Sequence, residues 1–221
     1  GLEVMRELLA AGVPDVRVGF GGRTLEMGER FAEIFAEYEP LRRHVYAYHP
    51  DLQGPMDVLE LLWGSDLFVD CIDEPDLVHG LLDLVCRTYA AFLRAWWQRC
   101  PPEDTWNAHW GLMHRGKLMI RDDSAMNFSP AMFAEFIRPY DQRLLDELGE
   151  GAVHFCGRGD HYIDLCASMN GLHAIQMSQP ECNSMEVIYR ATVDRGLPLL
   201  GFHREAAEKA LAAGRDLPGL V

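Results

Sequence analysis

Apolar residues recur with two different periods along this chain, and the two periods alternate. Six short runs have the alternating or continuously apolar pattern typical of strands: 16–20, 45–48, 117–120, 152–156, 172–177 and 197–202. Between them, apolar residues follow helical spacing over 2–11, 29–38, 56–63, 74–98, 131–148, 161–169, 184–194 and 204–213. Strands that alternate with helices predict a parallel sheet joined by crossover helices.

Prolines and acidic residues mark two of the helices. Glu74-Pro75-Asp76 places two acids and a proline in the first turn of the helix over 74–98, which ends before Pro101-Pro102. Pro139 predicts a break within the helix over 131–148, because proline has no N–H to donate.

The length of the chain limits the architecture. A closed eight-stranded α/β barrel takes about 250 residues, whereas this chain has 221 residues and six predicted strands. We therefore expect an α/β fold of the (β/α)8 TIM-barrel type, incomplete at the N-terminus, with a single domain over residues 1–221. The chain begins at Gly1, inside a predicted helix, which favours a fragment of a longer protein.

Composition excludes several classes of partner. Hydrophobic residues make up 48% of the chain, which is typical of a globular protein. A net charge of −14 argues against binding to nucleic acid or to an anionic membrane surface. The sequence contains neither a transmembrane run nor a signal peptide, and its six cysteines form no small disulfide framework. These features predict a cytoplasmic protein with reduced thiols.

One predicted strand end combines two metal-ligating side chains. His154 and Cys156 stand two residues apart and therefore project from the same face of the strand. Zinc takes nitrogen and thiolate ligands, and barrel active sites lie at the carboxyl ends of strands. Cys182, after the next strand, is the candidate third ligand, with Glu181 as an oxygen alternative. The alternative interpretation is a buried His and a buried Cys without a metal.

Other polar residues follow the remaining predicted strands. Asp122 and Asp123 are candidate catalytic carboxylates, of which only one should face the barrel mouth because neighbouring strand residues point in opposite directions. Helix capping is the alternative role for them. Candidate substrate-binding residues lie in loops and on one strand: His49, Gln53, His109 and Gln176.

Three motifs in order resemble the uroporphyrinogen decarboxylase-like superfamily. The first is the helix opening Asp73–His79, and the second is Asp122–Ser124 followed by the long segment Phe128–Tyr140. The third is His154-Phe155-Cys156-Gly157. The resemblance extends over residues 70–187, and the segment Phe128–Tyr140 is its most specific match.

The resemblance implies a barrel fold and one of two chemistries. One branch of the superfamily decarboxylates uroporphyrinogen without a metal. The other branch comprises cobalamin-dependent methyltransferases, which use a zinc held by His-x-Cys and a later Cys to activate a thiol. The intact His154-x-Cys156 favours the second branch. That branch places its later Cys near the last strand, whereas no cysteine follows Cys182 in this chain.

The leading hypothesis is therefore a zinc-dependent methyltransferase-like enzyme that transfers a methyl group between a methyl donor and a thiol. The donor is either a corrinoid supplied by a partner protein or another methylated compound. The first alternative is a decarboxylase of porphyrin biosynthesis, for which Arg121 and Arg158 are the best candidates to bind substrate carboxylates. The second alternative is a non-catalytic partial barrel that binds a corrinoid protein or a small ligand.

Overall fold

The N-terminal part of the described chain is helical. The structure is a computed structural model that describes residues 1–45, 47–201 and 203–217, apart from the side chain of Arg42. Its first helices are α1 Leu2–Ala11, α2 Gly19–Glu37, α3 Glu39–His44, α4 Pro55–Trp63, α5 Leu67–Asp73 and α6 Pro75–Trp97. The long helix α6 packs against α1, α2, α4 and α5, and its apolar face forms much of the core.

Two predicted strands in this part of the chain are wrong. Residues 16–18 form a turn, and residues 19 and 20 are the first two residues of α2. Val45, Ala47 and Tyr48 lie outside any strand, and Tyr46 lies outside the described residues. A strand needs a partner for its backbone groups, and the described residues of these two runs pair with no strand.

A β-hairpin that the sequence pattern did not predict follows α6. Strands β1 Trp106–His109 and β2 Leu112–Arg115 pair antiparallel, with His109 opposite Leu112. The two residues of the turn, Trp110 and Gly111, have φ values of 49° and 80°. Two-residue hairpins require positive φ at both positions, for which Asn-Gly is the usual signal. Trp-Gly is not this usual signal, so the sequence did not indicate the hairpin turn.

The remaining strands form a parallel sheet in chain order: β3 Leu118–Arg121, β4 Gly151–Phe155, β5 Leu172–Met177 and β6 Leu199–Leu200. The connecting segments are α7 Pro130–Met132, a π-helical turn Phe133–Ile137, α8 Arg138–Leu148, α9 Ile163–Ala167 and α10 Met185–Ala191, and α11 Arg204–Ala212 follows β6. The π-helical turn ends at Ile137, two residues before Pro139, where the sequence predicted a break.

The barrel prediction is confirmed only in its coarser form. The fold is mixed α/β, and the predicted strands over 117–120, 152–156, 172–177 and 197–202 correspond to β3–β6, except that Phe202 lies outside the described residues. Within the described part of the chain, the sheet has four parallel strands and does not close into a barrel. The helices of that same part are too short or too polar to cross a membrane.

The two faces of the parallel sheet have different surroundings. One face carries Ile120, Val153 and Ile175, which pack against the helices in the main core. The opposite face carries a small apolar cluster, Met119, Ala152 and Ala174. One row further along each strand, this face carries four residues paired in register: Arg121, His154, Gln176 and Leu200. Polar side chains therefore gather at the carboxyl ends of the strands, on the face away from the helices.

Candidate metal centre

Three metal-ligating side chains meet at this end of the sheet. One potential ligand atom from each of Asp123, His154 and Cys156 lies within 4.8 Å of the other two. His154 Nε2 is 3.3 Å from Asp123 Oδ1 and 3.4 Å from Cys156 Sγ. His154 and Cys156 share a face at the end of β4, and Asp123 begins the 3₁₀ turn that follows β3.

The neighbouring strand fixes the orientation of the His154 ring. His154 Nδ1 donates a hydrogen bond to Gln176 Oε1, the residue paired with it in register on β5. A neutral imidazole with its proton on Nδ1 carries a lone pair on Nε2. That lone pair faces the Asp123 carboxylate and the Cys156 sulfur. A cation between these groups, either a proton or a metal ion, interacts with both His154 Nε2 and the Asp123 carboxylate oxygen.

Asp123 and Cys156 are also joined directly. The Cys156 N–H donates to Asp123 Oδ1 at 3.0 Å. In the metal-free protein, the hydrogen bond from a proton on His154 Nε2 lowers the pKa of Asp123, so this carboxyl group is ionised at neutral pH. Burial raises the pKa of the Cys156 thiol, and the adjacent Asp123 adds to the shift, whereas a hydrogen bond with Ser178 opposes it. A bound cation would reverse the pKa shift of this thiol, because metal coordination favours the thiolate.

Trp110 and Arg121 form a wall beside the three donors. The Trp110 ring lies edge-on to the His154 ring, with centroids 5.2 Å apart, and the Arg121 guanidinium stacks 4.3 Å from the Trp110 ring centroid. Arg121 also pairs with Asp51, and its side chain is only 13% exposed. Trp110 and Arg121 therefore flank the three donors on the His154 side.

His49 is buried beside the edge of β3. Its Nδ1 donates to the Pro50 carbonyl at 2.7 Å, and its Nε2 accepts the Met119 N–H at 3.2 Å. Burial lowers the pKa of His49 to about 4, so the ring is neutral. In this conformation His49 holds the backbone of β3, and both of its nitrogens are occupied.

His109 lies next to His49, with ring centroids 4.1 Å apart. His114 Nδ1 donates to the Arg115 carbonyl, so His114 Nε2 accepts the proton that His109 Nδ1 donates at 2.7 Å. His109 Nε2 is consequently a buried acceptor without a hydrogen-bond partner among the described residues. Burial lowers the pKa of His109 to about 2, so this ring is also neutral.

The two candidate carboxylates lie in different surroundings. Asp123 is on the side of the metal-ligating group, whereas Asp122 is buried in the helical layer near Asp141. If Asp122 and Asp141 were both ionised, the two carboxylates would repel each other and neither could donate a hydrogen bond. A proton on one of them lets it donate to the other. Burial accordingly raises the pKa of Asp122 well above its usual range and that of Asp141 to about 8.

The structure does not bring Glu181 and Cys182 into the group. Both are exposed and lie in the short 3₁₀ turn Pro180–Cys182. Glu181 instead lines a cleft of about 920 Å³ between α10 and α11, which contains none of the three donors. The next residue, Asn183, anchors this turn to the loop after β4 by accepting the N–H groups of Gly159 and Asp160.

Gln53 also lies near the group. With its amide oriented so that the nitrogen faces Asp57 and the oxygen faces Arg121, Gln53 donates to Asp57 Oδ2 at 2.9 Å and accepts from Arg121 Nη1 at 3.2 Å. Sequence reasoning missed Asp57 and did not place Trp110 beside His154. Asp57 gave no signal beyond a lone acid in a helical first turn, and Trp110 was not linked to His154 because the hairpin was not predicted.

Comparisons with known proteins show a likeness of fold to solved structures. No protein-family model matches this chain, and no curated protein matches it. A solved structure of a methyltransferase from Methanosarcina mazei matches with a TM-score of 0.57 and 19% sequence identity. The match covers 86% of this chain and 51% of that protein, so this chain spans about half its length. At this identity the match establishes similarity of fold.

Proposed function

We propose that this chain is a zinc-dependent methyltransferase-like enzyme that transfers a methyl group between a corrinoid, or another methyl donor, and a thiol. The observation that carries the proposal is the convergence of Asp123, His154 and Cys156 at the carboxyl end of a parallel sheet. Active sites of parallel α/β folds lie at this end of the strands. The methyltransferase with a similar fold supports the reaction class.

The donor set fits zinc. Imidazole nitrogen, thiolate sulfur and carboxylate oxygen are the ligands that zinc takes in proteins, and three protein ligands with one open position are typical of catalytic zinc. His154 Nε2, Cys156 Sγ and Asp123 Oδ1 would hold the ion, so Asp123 takes the third position for which the sequence suggested Cys182. When bound, zinc would lower the pKa of a substrate thiol and favour its nucleophilic thiolate.

The surrounding residues prepare this site. Gln176 accepts the His154 Nδ1 proton and so leaves Nε2 free to act as a ligand. The Cys156 N–H holds Asp123 Oδ1 toward the other two donors. Trp110, stacked on Arg121, flanks one side of the group. Exclusion of water would protect a thiolate nucleophile from solvation.

The methyl donor and the cellular location are further parts of the proposal. The superfamily resemblance supports a corrinoid carried by a partner protein as the methyl source. The cysteines at 71, 86, 100, 156, 166 and 182 are all free, which supports a reducing, cytoplasmic environment.

The decarboxylase alternative gains less support. Such an enzyme needs free cations to bind several substrate carboxylates. Arg121 is paired with Asp51 and stacked on Trp110, and Arg158 is paired with Asp160. Both candidate arginines are therefore already neutralised by residues of this chain.

Two measurements test the proposal. Elemental analysis of zinc-replete protein should give about one zinc per chain, and His154→Ala and Cys156→Ser should each lose it. Methyl transfer from methylcobalamin to 2-mercaptoethanol should then be faster in the presence of the zinc-loaded wild-type protein than in the presence of either variant. The absorbance of the corrinoid follows the reaction. Wild-type protein that takes up no zinc would contradict the proposal.

A further inference from the structure

The turn that carries Asp123 is held by a side chain from a distant part of the chain. Asp57 lies in the first turn of α4 and is only 5% exposed. Its Oδ2 accepts the Asp123 N–H and its Oδ1 accepts the Ser124 N–H, each at 2.8 Å. The Ser124 hydroxyl also donates to Oδ1. One carboxylate thus fixes the backbone where the oxygen donor of the metal-ligating group is attached.

The loop before α4 fixes Asp57 in turn. This loop runs along the free edge of β3, where the Gly54 N–H donates to the Arg121 carbonyl at 2.7 Å. A Cβ atom at position 54 would overlap the Arg121 oxygen, so only glycine permits this approach. Gln53 adds a bridge from Arg121 to Asp57 Oδ2. Asp57 is therefore tied both to the end of β3 and to the turn that follows it.

We propose that Asp57 is a positioning residue for the metal centre: by accepting the N–H groups of Asp123 and Ser124, it orients Asp123 Oδ1 toward His154 and Cys156. This inference rests on the proposed function. The Asp123 carboxylate is 40% exposed and is held in the group by the Cys156 N–H and His154. If the turn were free to rotate, Asp123 would face solvent and leave only two protein donors.

The substitution Asp57→Asn tests this role with little change of shape. The asparagine side chain has one oxygen and one NH₂ group, so in either orientation its NH₂ group opposes a backbone N–H of the turn. Supporting groups around metal ligands typically contribute about 10- to 100-fold in metal affinity. We expect zinc affinity, measured by competition with a chromophoric chelator, to fall about tenfold or more. The visible absorption of the cobalt-substituted protein should change as well, since it reports the ligand set.

Two control variants separate positioning from loss of stability. Leu59→Ala removes a fully buried side chain from the same helix, and none of the hydrogen bonds above involves Leu59. It should lower the melting temperature and leave zinc affinity near that of the wild type. Ser124→Ala removes the hydroxyl but keeps both backbone bonds to Asp57, so it should also bind zinc normally. Wild-type zinc affinity in Asp57→Asn, or an equal loss in Leu59→Ala, would overturn the inference.

Hydrogen exchange separates this inference from the proposed function. If wild-type protein binds no zinc, the proposed function fails, and the role of Asp57 is then judged in the metal-free protein. Asp57→Asn should accelerate exchange of the Asp123 amide and also of the Cys156 amide, which is bonded to the Asp123 side chain on another strand. Unchanged exchange at both amides would overturn the positioning role.

Discussion

His154 and Gln176 stand opposite each other on neighbouring parallel strands, and the His154 Nδ1–H donates to the Gln176 side-chain oxygen. Because the bond joins a register pair, the backbone of the sheet fixes both of its ends. It determines which imidazole nitrogen is free, and the free nitrogen points to Asp123 and Cys156. A metal-ligating histidine commonly donates its second N–H to such a partner.

Replacing Gln176 by leucine should therefore weaken zinc binding without removing a ligand. The variant leaves His154 Nδ1 without its acceptor, so both the ring orientation and the tautomer become free. We expect zinc affinity to fall about 10- to 100-fold, the usual effect of losing such a partner. Gln176→Glu keeps an acceptor oxygen and serves as the matched control, with expected affinity at or above that of the wild type. Equal affinities in the leucine variant and the wild type would show that Gln176 has no part in ligand orientation.

Asp123 and Cys182 offer a direct comparison of two candidate third ligands. Asp123 lies with His154 and Cys156, whereas Cys182 is exposed outside the group. We expect Cys182→Ser to keep about one zinc per chain and Asp123→Asn to bind zinc more weakly, because a neutral amide is a poorer donor than a carboxylate. Zinc content after dialysis against a weak chelator measures both. Loss of zinc in Cys182→Ser alone would restore Cys182 as the third ligand.

The sequence pattern predicted the parts of this fold that local periodicity determines. The helix over 74–98 carries both a start signal and a continuous apolar face, and it corresponds to α6 within two residues at either end. The strands predicted over 152–156 and 172–177 correspond to β4 and β5, which are almost entirely buried and pair in register from Ala152 to Phe155. The segments over 16–20 and 45–48 have similar patterns, but their described residues pair with no strand, and periodicity alone does not report pairing.

The sequence predicted only those residues of the candidate site that belong to the same strand. His154 and Cys156 share a face because alternate residues of one strand always do. Asp123 joins them through the parallel pairing of β3 with β4, and Trp110 through a hairpin turn without the usual residues. Cys182 was expected there because it follows the adjacent strand, but the loop after β5 is anchored by Asn183 with Cys182 toward solvent.

Trp110 occupies a backbone position that suits asparagine better. Its φ of 49° in a two-residue hairpin turn costs about 1–3 kcal/mol for most non-glycine residues. Trp110→Asn should therefore preserve the turn and the hairpin, but it removes the ring beside His154 and Arg121. We expect a melting temperature close to that of the wild type and a reduced rate of corrinoid demethylation by 2-mercaptoethanol. A variant with the wild-type rate would show that the ring has no role at the proposed site.

His49 should make the folded state sensitive to acid. Its pKa in the folded protein is lowered to about 4, first by burial and then by His114 and Arg121, against an unfolded value near 6.5. A lowered pKa means that the folded state resists protonation, so the stabilising contribution is complete above about pH 6.5. It is lost progressively as the pH falls toward 4, and the loss is roughly 3 kcal/mol at 1.36 kcal/mol per pKa unit.

The variant His49→Gln isolates this contribution. A glutamine oxygen can accept the Met119 N–H and its NH₂ group can donate to the Pro50 carbonyl, yet glutamine does not titrate. Urea unfolding at several pH values between 4 and 7 should give a wild-type free energy of unfolding that falls more steeply with acid than that of the variant. His109 is present in both proteins, and its lowered pKa comes first from its own burial and only then from His49, so most of its contribution cancels in the difference. Parallel curves for the two proteins would show that the pKa of His49 is the same in the folded and unfolded states.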